Sequence, residues 1–445
     1  MNGRRKAIFL SFFVFLIVAS SYLWSAASNA GEGLPSPKSI NGSGLANVPP
    51  VEDAIQFFQS RVKQNPRDAV SYTLLGDLYM RQARETGNLG DYQLAEESFQ
   101  EALRLLPNYS PASSSLASVY YSRHEFEKAL VLAEQVYESN YKNSQARIIM
   151  ADSYLSLGNY QQAEAIYNEL AETNITPPLL ARIAYLEELN GNPDHALELI
   201  RRAAGDALNS GGTKENSAWY LLRVGDMYFN TGDIKQAGEF YEASLRVFEN
   251  YPPALADLGK VRAAQGRYDE AIQYYQRAVN ILPEPEFVAG LGDLYLVTDQ
   301  HKQAEIQYAT VETIGALAAL DGQVYNRQLA NFYSDHDVNV REALTLALVE
   351  LETRPDIYAY DTAAWAYYKN GNYKEARTMI ERAMSLGTQD ARLYYHAGII
   401  AYALHQNEQA RQYLEQALAI NPYFSVLHSA EAREALKAIQ AIANN

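Results

Sequence analysis

The chain has 445 residues, of which 53 are acidic and 37 basic, and its formal net charge at pH 7 is −16. A surface this acidic argues against nucleic acid and anionic lipid headgroups as main partners, whereas basic proteins or peptides are compatible with it. The chain contains no cysteine, which excludes a disulfide framework, a thiol nucleophile and a cysteine-ligated metal site.

Residues 1–30 are arranged like a targeting segment. A basic start at residues 4–6 is followed by an apolar run over residues 8–19 and by small residues at 28–30. This layout is typical of a cleaved secretory signal peptide. The alternative is an uncleaved membrane anchor over residues 7–24, which is at the lower edge of spanning length. Because positive charge stays inside, either case predicts an exported protein: periplasmic or secreted, or anchored with the rest of the chain outside the cytoplasm.

Two short segments follow the leader. Residues 31–50 are rich in Gly, Ser, Pro and Asn and show no apolar period, so we expect a flexible linker. Residues 51–66 form a lone amphipathic pattern that ends at Pro66, which cannot continue a helix. We predict an N-terminal capping helix that covers the exposed end of a helical stack.

One two-helix unit then recurs along the chain. In the stretch from Ala254 to Pro283, two amphipathic helices are joined by a tight turn at Gly266. An alanine that opens the second helix recurs at intervals of 33 or 34 residues, with two longer intervals of 39 and 41 residues. These alanines are Ala95, Ala129, Ala163, Ala196, Ala237, Ala271, Ala304, Ala343, Ala376 and Ala410. Self-similarity at such a period is the mark of a solenoid.

The pattern resembles the tetratricopeptide repeat family. Its signature is an early aromatic, Leu-Gly and Tyr in the first helix, a turn Gly, and then Ala, an aromatic, Ala and Pro. In the first repeat these positions are Tyr72, Leu75, Gly76, Tyr79, Gly90, Ala95, Phe99, Ala102 and Pro107. The resemblance implies an all-α, right-handed superhelical solenoid of about ten tetratricopeptide repeats with capping helices.

Extra residues at three places exceed the repeat period, and we predict loops there, at 84–89, 206–216 and 316–323. The loop at 206–216 contains Gly211-Gly212 and is the predicted joint. It would divide the array into repeats one to four, residues 67–205, and repeats five to ten, residues 217–424. Residues 425–445 carry one narrow apolar stripe, which predicts a C-terminal capping helix.

The turn between the two helices of a repeat is a glycine in most repeats but His124, Asp299 and His405 in three others. Because Asp and His tolerate left-handed backbone, we predict that conformation for these three residues, and no metal is needed to explain the histidines.

No motif for catalysis is present. The sequence has no Gly-rich phosphate loop, no GxSxG and no HExxH, and its seven histidines form no ligand pair with metal spacing. We therefore expect a non-enzymatic protein with no cofactor and no metal.

The resemblance also implies that the first helices line a concave face whose exposed positions contact extended or helical peptides. Carried over by register, the candidate partner-binding residues are Asp77, Arg81, Tyr121, Asp152, Trp219, Asp226, Phe229, Asp293, Tyr358, Trp365, Tyr368, Tyr395 and Tyr402. The four aspartates share one register and would form an acidic ladder. The last two repeats would offer aromatic anchors of the kind that concentrate affinity. Two structural explanations stay open: the aspartates are ordinary solvated residues, and the tyrosines stack on one another.

The sequence therefore supports two functions. The first is a scaffold that holds proteins or peptides, basic ones included, in the cell envelope, with the membrane reached only through an uncleaved leader. The second is a module that binds a cell-wall polymer or glycan, or assists polysaccharide export, because sugar rings stack on aromatic side chains such as those of the last two repeats.

Overall fold

The computed structural model describes residues 34–42, 45, 50–88, 90–210, 213–320 and 326–443. The predicted leader, residues 1–30, lies outside them. The described residues form twenty-two α-helices and one short 3-10 turn, Pro37–Ser39, and contain no strand. None of these helices combines the length and apolarity that crossing a membrane requires.

The helices alternate with short connections along the whole array. In chain order they are α1 (Val51–Gln64), α2 (Ala69–Thr86), α3 (Gly90–Leu105), α4 (Ser110–Ser122), α5 (Phe126–Ser139), α6 (Ser144–Ser156), α7 (Tyr160–Thr173), α8 (Pro177–Leu189), α9 (Pro193–Asn209), α10 (Lys214–Asn230), α11 (Ile234–Val247), α12 (Pro252–Ala264), α13 (Tyr268–Ile281), α14 (Pro285–Val297), α15 (His301–Leu320), α16 (Asn326–Asp335), α17 (Val340–Thr353), α18 (Ile357–Lys369), α19 (Tyr373–Ala383), α20 (Ala391–Ala403), α21 (Asn407–Ile420) and α22 (His428–Ala443).

Helices α2 to α21 form ten consecutive pairs, which are repeats one to ten. Each helix packs on its neighbours in sequence, and α1 and α22 pack on the two ends. First helices of neighbouring repeats also come close together, for example α2 with α4 and α16 with α18, which places the first helices on the inner, concave side. The predicted all-α solenoid of paired repeats is therefore confirmed.

Small residues in the first helix of a repeat admit an aromatic ring from the second helix. A Cβ atom built on Gly76 would lie 2.6 Å from the ring of Phe99, and one on Gly259 would lie 2.6 Å from the ring of Tyr275. Since contacts this close are not tolerated between real atoms, the repeat needs a residue without a side chain here. This explains why Leu-Gly in one helix recurs with an aromatic in the next.

The three non-glycine turns adopt the predicted left-handed backbone. The φ angles of His124, Asp299 and His405 are 60°, 58° and 59°. The prediction made for these three turns from residue type alone is confirmed.

The extra residues mostly lengthen helices, and the three predicted loops are wrong over most of their length. Helix α2 continues to Thr86, α9 continues to Asn209 before α10 begins at Lys214, and α15 continues to Leu320. A longer helix bonds its added backbone groups internally, whereas a loop leaves them to find other partners. The Gly211-Gly212 joint and residues 321–325 lie outside the described residues.

The segment before α1 is not a free linker where it is described. We call residues 34–42 and 45 the N-terminal strap. Its side chains Leu34, Ile40 and Leu45 are buried, and Arg246 of α11 donates hydrogen bonds to the carbonyl oxygens of Pro37 (2.6 Å) and Ile40 (3.1 Å). The flexible linker predicted over residues 31–50 is wrong for these residues, because its scattered apolar side chains find a site on repeats four and five.

Successive turns of the superhelix touch along an inter-turn seam. The seam joins repeat three to repeat nine, repeat four to repeat ten, and repeat five to the residues after repeat ten. Its hydrogen bonds run from the Ile357 amide to the Tyr160 hydroxyl (2.9 Å), from the Thr388 hydroxyl to the Leu189 carbonyl, and from the Asn421 side-chain amide to the Phe229 carbonyl (2.8 Å). Partners are six repeats apart in each case, so one superhelical turn takes about six repeats.

The contribution of the seam can be measured at a turn glycine. Gly158 and Gly266 both have a φ of 73°, but a Cβ atom on Gly158 would lie 2.6 Å from the Pro355 carbonyl oxygen, whereas one on Gly266 would meet nothing within 4 Å. We expect Gly266→Ala to cost about 1 kcal/mol of unfolding free energy through backbone strain. Gly158→Ala should cost about 1–3 kcal/mol more, because it also forces the seam apart. Denaturation with scattering measurements of size checks this, and equal costs with unchanged size would contradict the seam.

A second test of the seam uses pH. Burial, followed by the charges of Arg354 and Arg327 from across the seam, lowers the pKa of His124 to about 4. An unfolded histidine binds its proton near pH 6.5, so the unfolded state gains protons first, and stability should fall as pH drops from about 6.5 towards 4. Asparagine also tolerates the left-handed backbone but does not titrate. We expect His124→Asn to lose less melting temperature than the wild type between pH 7.5 and 5, and an identical loss in both proteins would refute this role of His124.

Candidate partner-binding surface

The thirteen predicted partner-binding residues all lie on first helices, but they differ in exposure. Asp77 is exposed, while Arg81, Tyr121, Trp219, Asp226, Asp293, Tyr358, Tyr368 and Tyr402 are half-buried and Asp152, Phe229, Trp365 and Tyr395 are buried. Nine of the thirteen are thus at least partly accessible, and four are not accessible as surface anchors.

Three of the four aspartates of the predicted ladder bond to a tyrosine of their own repeat. The hydroxyl lies fifteen residues later, on the second helix, and donates to the carboxylate. The bonds are Tyr167 to Asp152 (2.6 Å), Tyr241 to Asp226 (3.0 Å) and Tyr308 to Asp293 (2.9 Å). These carboxylates therefore join the two helices of a repeat, and the shared register has a structural cause.

The same three aspartates also have positively charged or imidazole partners. Arg182 donates three hydrogen bonds to Asp152, at 2.7, 2.8 and 2.9 Å. Arg223 and His336 lie 2.8 and 2.7 Å from Asp226 and Asp293. Burial and then the neighbouring Asp257 raise the pKa of Asp226 to about 6. A basic partner would thus meet carboxylates that are largely paired, and Asp77 is the exposed member of the ladder.

The aromatic group of repeats nine and ten is a packed core. Trp365 is 1% exposed, and its ring stacks with those of Tyr368 (4.8 Å between centroids) and His396 (4.3 Å). Its indole N–H donates to Asp335 at 2.7 Å. Tyr395 is also 1% exposed. The expectation that Trp365 and Tyr395 lie exposed on the concave face is wrong, because α22 and the residues before it cover them.

The second turn of the superhelix crosses the concave side of the first. Burial and then the charge of Asp152 raise the pKa of the Tyr121 hydroxyl, which also lies near Arg354 of the next turn. Burial and then Asp390 raise the pKa of Tyr358. Tyr121 and Asp152 are thus brought together with residues from repeats eight and nine, which sequence register could not indicate.

A cavity of about 700 Å³ opens on the concave side of repeats six to eight. The first helices α12, α14 and α16 form one wall, and the other includes residues 421–427 between α21 and α22, which we call the C-terminal connector. Of the predicted residues, Phe229 and Asp293 line it. Its volume is within the range of about 300–1,000 Å³ that ligand sites occupy.

Sequence reasoning missed several cavity residues. Gln328, Asn331 and Arg392 line it but were not among the candidates. Asn331 follows Leu329-Ala330 as the ladder aspartates follow their own small residue. The same register could therefore have found it. Arg392 lacked any such signal. In the part of the chain that is described, no group of three or more His, Asp or Glu side chains is placed to hold a metal ion.

Family models identify repeats in this chain. Models described as tetratricopeptide repeat match residues 150–213 and 362–423 and, separately, residues 228–289. A model described as anaphase-promoting complex, cyclosome, subunit 3 matches residues 88–170. The matched segments cover both halves of the array.

Relatives of known name are distant. BBSome complex member BBS4 from Bos taurus is 23% identical over 348 residues, which are 75% of this chain and 63% of that protein. TPR repeat-containing protein YpiA from Bacillus subtilis (strain 168) is 19% identical over 317 residues, 70% of this chain and 64% of that protein. Protein O-mannosyl-transferase TMTC1 from Homo sapiens is 25% identical over 214 residues, 45% of this chain and 23% of that protein. The chain thus spans less than two thirds of each.

Solved structures share the fold at low identity. Yeast Tom70 has a TM-score of 0.38 at 14% identity, with 88% of this chain and 93% of that chain covered. The human IFIT1 dimer with PPP-AAAA has a TM-score of 0.49 at 16% identity, with 76% of this chain and 78% of that chain covered.

Proposed function

We propose, from the premise that this chain is a tetratricopeptide repeat protein, that it is a scaffold which holds segments of partner proteins on its concave surface in the cell envelope. Protein interaction is what such an array offers, and the finer parts of the proposal are the surface used and the location. The observation that carries the choice of surface is the cavity of about 700 Å³ on the concave side of repeats six to eight.

The charges of that surface favour partners bound by shape and hydrogen bonds. The ladder aspartates are paired with tyrosines, arginines or His336. A basic partner would therefore have to displace these internal contacts, which costs free energy for each buried carboxylate. Selectivity for basic partners is consequently weaker in this proposal than net charge alone indicates.

The envelope location rests on the leader. Residues 1–30 combine a basic start, an apolar run and small residues in the order of a signal peptide. Fractionation of cells with protease treatment of intact and opened envelopes tests it. Protection of the repeats until the cytoplasm is opened would contradict export.

The polymer-binding alternative loses its motive. It depended on exposed aromatic anchors in the last two repeats, but Trp365 and Tyr395 are each 1% exposed. A sugar ring cannot reach either face without unpacking the end of the array. The protein scaffold is therefore the better supported of the two functions.

Cross-linking in the native envelope tests the scaffold proposal. A photo-reactive residue is placed in the full chain at Lys260, which lines the cavity, or at Ile306, which is 55% exposed on the second helix α15. We expect discrete protein adducts, identified by mass spectrometry, at position 260 and not at 306. Adducts that are the same at both positions, or none at 260, would contradict a concave binding surface.

A further inference from the structure

We propose that the cavity of repeats six to eight binds an extended peptide strand, and that the side-chain amides of Gln328 and Asn331 pair with its main chain. The inference rests on the proposed function and names the form of the partner. It is carried by two independent observations, the state of these two amides and the shape of the chain segment that already occupies the same concave surface.

The two amides form one polar pair on α16. Gln328 and Asn331 are three residues apart, so they share a helix face, and both line the cavity in half-buried positions. Neither side chain has a hydrogen-bond partner among residues 34–42, 45, 50–88, 90–210, 213–320 and 326–443. Polar residues beside them are engaged, since Arg327 donates to Asp356 at 2.8 Å and His336 lies 2.7 Å from Asp293. The amide pair is thus unused by the fold.

The chemistry of an amide selects a main chain. Each side-chain amide carries both a donor and an acceptor, the same pair of groups that one peptide unit offers. A strand presents free N–H and C=O groups along its edge and can satisfy both. A helix bonds these groups internally over most of its length, so a helical partner would leave the half-buried amides without partners, at a cost in binding free energy.

The C-terminal connector shows that a non-helical segment fits this surface. Residues 421–427 contain no helix, yet they span the space between repeat five and the end of the array. Asn421 is buried and its side-chain amide donates to the Phe229 carbonyl at 2.8 Å. Val426 packs against the core of repeats six and seven, which includes Leu255 and Leu291. A bound strand would lie beside this segment on the same wall.

Charge does not favour one sign of ligand in the cavity. Its lysine, arginine, aspartate and glutamate residues are three basic and three acidic: Lys260, Arg392, Arg433, Glu286, Asp293 and Asp335. Because the signs balance, recognition falls to main-chain pairing and to apolar contact. The ligand class that follows is an uncharged or mixed-charge extended segment of a protein.

Selection from a library of random displayed 12-residue peptides against the full chain supplies the probe. Synthetic copies of the selected peptides are then measured by fluorescence anisotropy against the wild type and against Gln328→Ala/Asn331→Ala. We expect at least a tenfold loss of affinity in the double variant. Gln328→Glu/Asn331→Asp, which keeps shape but loses donors, should weaken binding too. The control is Gln93→Ala/Gln100→Ala, which removes two exposed amides from the second helix α3 and should leave affinity unchanged.

The outcomes separate the two proposals. Peptides that become helical on binding, or that bind the double variant as well as the wild type, would overturn the strand proposal while the scaffold function stands. Failure to select any peptide would also overturn it. If in addition position 260 gives no cross-linked partner, the scaffold proposal falls as well. Unchanged circular dichroism and melting of the double variant would show that a loss of affinity is not a loss of folding.

Discussion

Trp365→Ala is expected to lower the free energy of unfolding of the last repeats by about 3–5 kcal/mol, the usual cost of truncating a buried aromatic residue. Trp365 is 1% exposed, stacks on Tyr368 and His396, and donates its indole N–H to Asp335. Removing the indole opens a void among three ring systems and leaves Asp335 without that donor. Chemical denaturation followed by circular dichroism, with hydrogen exchange in α18 to α22, measures the effect.

The matched control for Trp365 is an aromatic residue of the same end of the array. Tyr423 is 44% exposed, so we expect Tyr423→Ala to change stability by less than about 1 kcal/mol. A cost for Trp365→Ala no larger than that of the control would show that the tryptophan is not in a packed core. It would also restore the surface on which the polymer-binding alternative depended.

Asp152→Ala is expected to cost about 3–5 kcal/mol, because removing one partner from a buried ion pair leaves the other charge uncompensated. The Asp152 side chain is 11% exposed and that of Arg182 33%, so solvent screening places the cost towards the lower end of this range. The Tyr167 hydroxyl, which donates to Asp152 at 2.6 Å, also loses its acceptor. Hydrogen exchange in α6 to α8 and the denaturation midpoint report the change.

Asp77 provides the comparison for Asp152, since it occupies the same register in repeat one but is exposed. We expect Asp77→Ala to change stability by no more than about 0.5 kcal/mol, as is usual for a surface substitution. If both substitutions cost the same small amount, the aspartates would be solvated residues after all. If partner adducts at position 260 disappear in Asp77→Ala alone, the exposed end of the ladder contributes to binding.

What the sequence predicted correctly depends on neighbours within a repeat. Leu75-Gly76 with Phe99 is a contact between the two helices of one unit, so it recurs at each period. The left-handed His124 likewise follows from residue type and position in a tight turn. Such features are local, and a single sequence contains the information for them.

What the sequence did not predict depends on residues far apart in the chain. The covering of Trp365 and Tyr395 comes from α22 and the connector, and the strap docks on α11 about 200 residues later through Arg246. No periodicity relates these partners. The insertions misled for another reason, since residues without the repeat pattern can still prolong a helix, as α9 and α15 do.

The inter-turn seam has a consequence for how this gene can change in length. An open solenoid tolerates the duplication or deletion of a unit, because each unit answers only to the units beside it. Here Tyr160 meets Ile357 and Leu189 meets Thr388 at a fixed offset of six units. Excising any one unit between such partners would bring the wrong residues opposite each other at every bond that encloses the excision. The number of units in the middle of this coil is therefore constrained by its own geometry, as the number of teeth is in a gear.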